Sequence, residues 1–109
     1  MEEPVPSMFF LSQNYPNPFK DSTKIKYCLP VRTKVNLTVF SSDGNKMKEL
    51  VNKIQEAGTY EVILNSCDLP NGNYYYRIFA TDPLTNTRKL FVAMKKMILL
   101  RESENIDKI

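Results

Sequence analysis

Residue types that could carry out chemistry are few in this 109-residue chain, which contains no histidine and only two cysteines. Catalysis by a nucleophile and a base needs a histidine or an equivalent partner, and the sequence offers none. There is also no glycine loop of the kind that cradles phosphate. The acidic residues lie mostly in turn-like or polar segments, and their spacing singles out no carboxylate pair. We therefore predict a protein that is not an enzyme and that has no cofactor. The acids considered are Asp21, Asp43, Glu49, Glu56, Glu61, Asp68 and Asp82.

The cysteines do not predict a metal site, because no histidine and no close cysteine pair accompany them. Cys28 falls in a strand-like run and Cys67 in a turn-rich one, which favours two unpaired thiols over one disulfide. Oxygen atoms of Asp43, Asn45 and Asp68 could contribute to a calcium site, but a role in stabilising turns is favoured.

Three successive tyrosines, Tyr74 to Tyr76, could form an aromatic platform for sugars or single-stranded nucleic acid. Their alternation favours a structural interpretation, in which Tyr74 and Tyr76 lie in the core and Tyr75 is a cross-strand partner. The net charge of +3 is spread along the chain, so it does not predict a nucleic-acid partner. No segment is apolar over the length of a membrane span.

Apolar residues recur with a period of two along most of the chain, which indicates half-buried β-strands. The segment "KMKELVNKIQEAG" also has apolar residues at helical spacing, but the flanking turns favour a strand at about 47–52 followed by a loop. About seven short strands separated by turns predict an all-β fold, an immunoglobulin-like antiparallel β-sandwich. An up-and-down barrel is the alternative.

Apolar residues alternate along each strand-like run. In the last run a second apolar stretch, "MILL" at 97–100, could be buried on both faces. The alternating sets are Ile25, Tyr27 and Leu29; Val35, Leu37 and Val39; Tyr60, Val62 and Leu64; Tyr74, Tyr76 and Ile78; and Leu90, Val92 and Met94.

Turn signals and prolines divide the chain. Asp43-Gly44 and Asn71-Gly72 are typical of tight turns between strands. The segment "QNYPNPF", 13–19, combines two prolines with two aromatic residues and predicts a stiff, bent, non-helical lead-in. We expect one sandwich domain over 1–101, with the lead-in at 1–23, and a polar, frayed tail at 102–109. The acidic start "MEEPVPSMFF" does not have the pattern of a signal peptide, and a fragment of a longer secreted protein stays an open alternative.

Taken in order, several segments resemble the type A C-terminal sorting domain of the type IX (Por) secretion system. The resemblance extends from about Phe10 to Arg101. It rests on "LSQNYPNPF", "TKIKYCLP", "VNLTVFSSDGNKMKELV", "EAGTYEV", "LPNGNYYYRI" and "KKMILLR".

This resemblance implies a non-catalytic β-sandwich that follows an N-terminal cargo domain in a longer precursor. It implies recognition in the periplasm by outer-membrane secretion machinery and delivery of the cargo to the cell surface or the medium. The bend and the last strand are then plausible recognition surfaces, although many motif residues could serve folding alone. The residues that match the family motifs are Pro16, Asn17, Pro18, Phe19, Gly58, Tyr60, Gly72, Tyr74, Tyr76, Lys95, Lys96, Met97, Leu99 and Leu100.

The chain departs from the family pattern at several points. Lys20-Asp21 stands where Asn-Pro is common, and Arg101 takes the place of the usual lysine. The connection "TDPLTNTRKLFVA" into the last strand is longer than usual, and residues follow a motif that normally ends the protein.

A different class of function stays open from the sequence. The chain could be a structural or binding module that recognises protein or glycan, similar to the immunoglobulin-like domain of flagellar hook-capping proteins or to an accessory domain of a surface enzyme. An exposed sheet edge could also pair two copies, although no residue pattern supports a dimer.

Overall fold

The computed structural model describes residues 4–67, 69–85 and 87–101, and these contain seven β-strands and no helix. The predicted tail at 102–109 lies outside the described residues. The strands are β1 (Phe10–Leu11), β2 (Ser22–Leu29), β3 (Thr33–Ser41), β4 (Lys46–Gln55), β5 (Gly58–Asn65), β6 (Gly72–Thr81) and β7 (Lys89–Leu99).

The strands form two antiparallel sheets that pack face to face. One sheet has three strands in the order β1-β2-β5, and the other has four in the order β4-β3-β6-β7. The prediction of an all-β sandwich is therefore confirmed, and the alternative of a single closed barrel is wrong.

The core lies between the two sheets and is built from alternate residues of each strand. Ile25, Tyr27 and Leu29 of β2 are fully buried, whereas Lys24 and Lys26, which alternate with them, are exposed. The period-two pattern predicted this arrangement, because successive side chains of a strand point to opposite faces. The other fully or almost fully buried apolar residues are Leu11, Phe19, Val35, Leu37, Val39, Leu64, Leu69, Tyr74, Tyr76, Ile78, Ala80, Met97 and Leu99.

β4 is a strand, as the flanking turns predicted, but it is longer than expected. It pairs with β3 as far as the pair Thr33 and Gln55, so the segment expected to be a loop after residue 52 is still strand. The Tyr27 hydroxyl donates to Oε1 of Gln55, which ties the end of β4 to the other sheet. The pairing shifts register twice, between Leu37 and Thr38 and between Val39 and Phe40. Such bulges explain why the apolar spacing of β4 departs from a strict period of two.

The last strand, β7, buries a different set of residues from the alternating set noted in the sequence. Phe91 and Ala93 pack against the core, while Val92 and Met94 are exposed. The Phe91 ring stacks on Phe9 at 5.2 Å between centroids. The expectation that "MILL" is buried on both faces is wrong, because Leu100 is 61% exposed.

The β3–β4 hairpin closes at the predicted Asp43-Gly44 turn. Gly44 has φ of 90°, a left-handed conformation that glycine adopts without a side-chain clash. The Gly44 N–H donates to the Ser41 carbonyl, and the Ser41 N–H donates to the Asn45 carbonyl. The turn role favoured for Asp43 and Asn45 agrees with this position, whereas Asp68 lies outside the described residues.

Cys28 and Cys67 are both free thiols. Cys28 is half-buried on β2, with its sulfur 3.7 Å from Oγ1 of Thr59, and Cys67 is exposed after β5. The prediction of two unpaired cysteines is confirmed.

Neighbouring residues of β5 provide a matched test of the sandwich. Leu64 is 1% exposed, whereas Ile63 is 61% exposed on the outer face. We expect Leu64→Ala to lower the free energy of unfolding by about 2–5 kcal/mol, because it leaves a cavity in the core. Ile63→Ala should lower it by less than about 1 kcal/mol. Urea denaturation of the two variants measures the difference, and similar losses would contradict the assigned faces of β5.

Candidate recognition surface

The lead-in first continues the three-stranded sheet alongside β2. The Ser12 N–H donates to the Lys26 carbonyl at 2.9 Å. Tyr15 and Lys24 exchange two backbone hydrogen bonds of 3.0 and 2.9 Å. The chain then bends through Pro16 and Pro18, which have no N–H and cannot extend this pairing.

After the bend, the lead-in pairs with the end of β7. The Phe19 N–H donates to the Ile98 carbonyl, and the Leu100 N–H donates to the Phe19 carbonyl, both at 2.9 Å. This is a parallel bridge on the free edge of the four-stranded sheet. The lead-in therefore connects the two sheets and covers the end of an edge strand that would otherwise expose unpaired backbone groups.

Side chains of the lead-in add to this attachment. Oδ1 of Asn17 accepts a hydrogen bond from the Ile98 N–H at 2.9 Å. Nε2 of Gln13 donates to the Lys96 carbonyl at 2.7 Å. Phe19 is 2% exposed, so its ring belongs to the core.

A buried network of polar side chains holds the Pro16 carbonyl of the bend in place. Nδ2 of Asn14 donates to Oγ1 of Thr23 at 2.9 Å and to the Pro16 carbonyl at 3.1 Å. The Thr23 hydroxyl donates to the same carbonyl at 2.8 Å. Asn14 and Thr23 are each 2% exposed. Neither residue was predicted to have a role, although an asparagine two residues before a proline is a signal for a local side-chain turn.

Two tyrosines of β6 lie under the same region. Tyr74 and Tyr76 are 3% and 0% exposed, which confirms that they are core residues. The Tyr76 hydroxyl donates to the Ser12 carbonyl at 2.6 Å, and the Tyr74 hydroxyl donates to the Pro70 carbonyl. Both phenols therefore find acceptors at the sandwich end.

Arg101 fastens the chain directly after β7. Its guanidinium donates to the Ser66 carbonyl at 3.0 Å and to the Leu69 carbonyl at 2.7 Å. Asn71 accepts from the Arg101 N–H at 2.8 Å and donates to its carbonyl at 3.2 Å. The Arg101 side chain thus holds two loop carbonyls, and the sequence did not predict these partners.

The structure brings most of the predicted motif residues together. The bend meets the end of β7, and the start of β6 lies beside it through the pairs Gly72 with Leu99, Tyr74 with Met97 and Tyr76 with Lys95. Gly58 and Tyr60 lie apart from this group, at the start of β5. The lead-in contacts the chain directly after the other end of β5, where the Ser66 N–H donates to the Asp21 carbonyl. Tyr60 instead stacks on Tyr27, with ring centroids 5.4 Å apart.

Burial divides the motif residues into three groups. The buried ones are Phe19, Tyr74, Tyr76, Met97 and Leu99, and the half-buried ones are Gly58, Tyr60, Gly72 and Lys95. The exposed ones are Pro16, Asn17, Pro18, Lys96 and Leu100. The exposed residues lie on the bend, near the end of β7 and directly after it, and we call these five residues the bend surface.

Within the described ranges, no cluster of three side chains from histidine, cysteine, aspartate and glutamate is arranged to hold a metal ion. The same residues contain no helix with the length and apolar character needed to cross a membrane.

A family model described as "Secretion system C-terminal sorting domain" matches residues 13–93. The match includes the bend and strands β2 to β6, and it ends before Lys95. Searches of curated proteins and of solved structures gave no significant match. The relation to immunoglobulin-like domains therefore stays a prediction.

Removal of the Asn17 acceptor tests the attachment of the bend. We expect Asn17→Ala to lower the free energy of unfolding by about 0.5–1.5 kcal/mol, because the Ile98 N–H loses its side-chain partner. Asn17→Asp keeps an acceptor oxygen and should retain most of the stability. Asn73→Ala on the exposed face of β6 is the control. If Asn17→Ala is as stable as this control in urea denaturation, the hydrogen bond does not fasten the bend.

Alkaline pH tests the burial of Tyr76. Burial raises the pKa of the Tyr76 phenol from 10.0 to about 12. The folded state therefore keeps this proton at pH values where the unfolded chain has lost it. The resulting stability is fully present below pH of about 10 and is lost as the pH rises towards 12.

The free energy of unfolding should therefore fall over this pH range, and it should fall less steeply in Tyr76→Phe. Tyr75→Phe removes a hydroxyl from the other face of β6 and is the control. Urea denaturation at several pH values gives the slopes. If the free energy of unfolding of Tyr76→Phe falls as steeply with pH as that of the wild type, this account is contradicted.

Proposed function

Because this chain belongs to the family of secretion system C-terminal sorting domains, we propose that it directs an N-terminally attached cargo through the type IX secretion system. The domain itself is non-catalytic. Its cargo passes through the periplasm and reaches the cell surface or the medium, and its direct partners are proteins of the outer-membrane secretion machinery. The observation that carries this proposal is the family match over residues 13–93.

We assign recognition by this machinery to the bend surface. Its backbone is held by hydrogen bonds to β2 and β7, so a partner meets a preformed shape and little ordering entropy is lost on binding. It also combines an apolar group with a charge, because Leu100, directly after β7, is 61% exposed and Lys96 lies near the end of that strand. The buried motif residues then serve the sandwich that supports this surface.

A secretion assay tests the sorting role. Residues 1–109 are fused behind a signal peptide and a fluorescent reporter, in one host with an intact type IX system and in one without it. We expect reporter on the surface or in the medium only in the intact host. Periplasmic retention of a folded fusion in both hosts would contradict sorting and favour a structural or binding module.

A pair of double variants in the same assay tests the bend surface. Lys96→Glu with Leu100→Ser changes exposed side chains of this surface, and we expect export to fall about tenfold or more while the domain stays folded. Lys53→Glu with Ile54→Ser makes the same changes at exposed positions of β4 and should be exported like the wild type. If the first variant is also exported normally, recognition lies elsewhere on a domain that still sorts.

A further inference from the structure

A groove of about 390 Å³ lies on the outer face of the four-stranded sheet, which the proposed sorting role does not use. It crosses the strands β4, β3 and β6 and is lined mainly by polar side chains with two phenylalanines. Its lining residues are Lys34, Asn36, Thr38, Phe40, Lys46, Asn52, Arg77, Phe79 and Thr81.

Arg77 is one of three cations that line this groove, and part of its guanidinium lacks a partner. Its Nε atom is buried and has no hydrogen-bond acceptor among the residues that the structure describes. Buried polar atoms in proteins are almost always hydrogen-bonded, so the unpaired Nε leaves Arg77 short of an acceptor beside the groove that it lines.

Two aromatic rings hold the guanidinium in place. Its central carbon lies 4.9 Å from the centroid of the Phe40 ring and 5.7 Å from that of Phe79. Arginine stacks on aromatic faces and keeps its N–H groups available at the edge of its plane. A carboxylate matches the geometry of this planar donor set, as a phosphate also does.

The neighbouring side chains form an ordered polar floor. Nδ2 of Asn36 donates to Oε2 of Glu49 at 2.9 Å, and the Thr38 hydroxyl donates to Oδ1 of Asn36 at 2.6 Å. Thr38 is 2% exposed although it points away from the core, so this outer face is packed where the alternating pattern predicted an open surface.

The groove carries a net positive charge. Nζ of Lys46 lies 3.7 Å from Oε2 of Glu49, so the carboxylate offsets the lysine charge. Arg77 and Lys34 leave the groove with a net positive charge, which favours an anionic ligand.

The location of the groove decides between two kinds of anionic ligand. β3 and β6 are central strands whose backbone groups are paired on both sides, so the groove offers no main-chain hydrogen bonds to an added peptide strand. Recognition must come from side chains that provide a guanidinium, amides and hydroxyls. A ligand that carries both a carboxylate and several hydroxyls uses all of these groups.

We propose that this groove binds an acidic saccharide, with its carboxylate on the Arg77 guanidinium and its hydroxyls on the side chains of Asn52 and Thr81. This binding activity goes beyond sorting and does not depend on it.

Calorimetric titration of residues 1–109 with trigalacturonate tests the proposal, with maltotriose as a neutral saccharide and triglutamate as an acidic peptide. We expect trigalacturonate to bind. In NMR spectra, its addition should change the amide chemical shifts of Asn36, Arg77 and Phe79. Arg77→Gln should weaken binding about tenfold or more, because a charge-assisted hydrogen bond is lost. Arg77→Lys keeps the charge but not the planar donor set and should also weaken it.

Lys20→Gln removes one positive charge at an exposed position outside the groove and should bind like the wild type. Absence of trigalacturonate binding to the wild-type chain would overturn the proposal, and this result does not depend on the folding of any variant. Equal affinity for maltotriose would rule out the role of the carboxylate. Equal affinity for triglutamate would rule out saccharide recognition in favour of general anion or peptide binding.

Discussion

The pairing of Phe19 with the end of β7 is the contact on which the arrangement of the N-terminal segment depends. Two backbone hydrogen bonds join Phe19 to Ile98 and Leu100, and the Phe19 ring is buried in the core. Burial of the ring removes apolar surface from water and so stabilises the fold. The two hydrogen bonds pair backbone N–H and C=O groups at the edge of the sheet. Because both effects act at one residue, the bend before it is held at a fixed place between the two sheets.

This attachment explains why residues far apart in sequence form one region. Asn14 and Thr23 satisfy the Pro16 carbonyl below the bend, and Tyr76 binds the Ser12 carbonyl from β6. Arg101 then fixes the chain after β7 to the loop that follows β5. The buried members of the motifs build a support, and the exposed members are left at its surface, where a partner can reach them.

The sequence predicted the strand faces well where only one alternating set was apolar, as in β2. It could not assign the faces of β7, because Phe91 and Ala93 form a second apolar set that alternates with Leu90, Val92 and Met94. The burial of Thr38 on the outer face also escaped prediction; its hydroxyl donates to Oδ1 of Asn36 on the same strand, and both residues line the groove. For the recognition surface, the motif residues could be selected by resemblance, but the attachment of the bend to β7 joins residues about 80 positions apart, and no local pattern encodes that pairing.

Amide hydrogen exchange of Phe19 and Leu100, measured by NMR on residues 1–109, tests this central contact most directly. If the lead-in and β7 form one unit, both amides should exchange about as slowly as those of the central strands β3 and β6, because opening would require loss of the core position of Phe19. Exchange of both amides at the rate of a frayed terminus, with β3 and β6 still protected, would show that the lead-in is detached and would contradict the account.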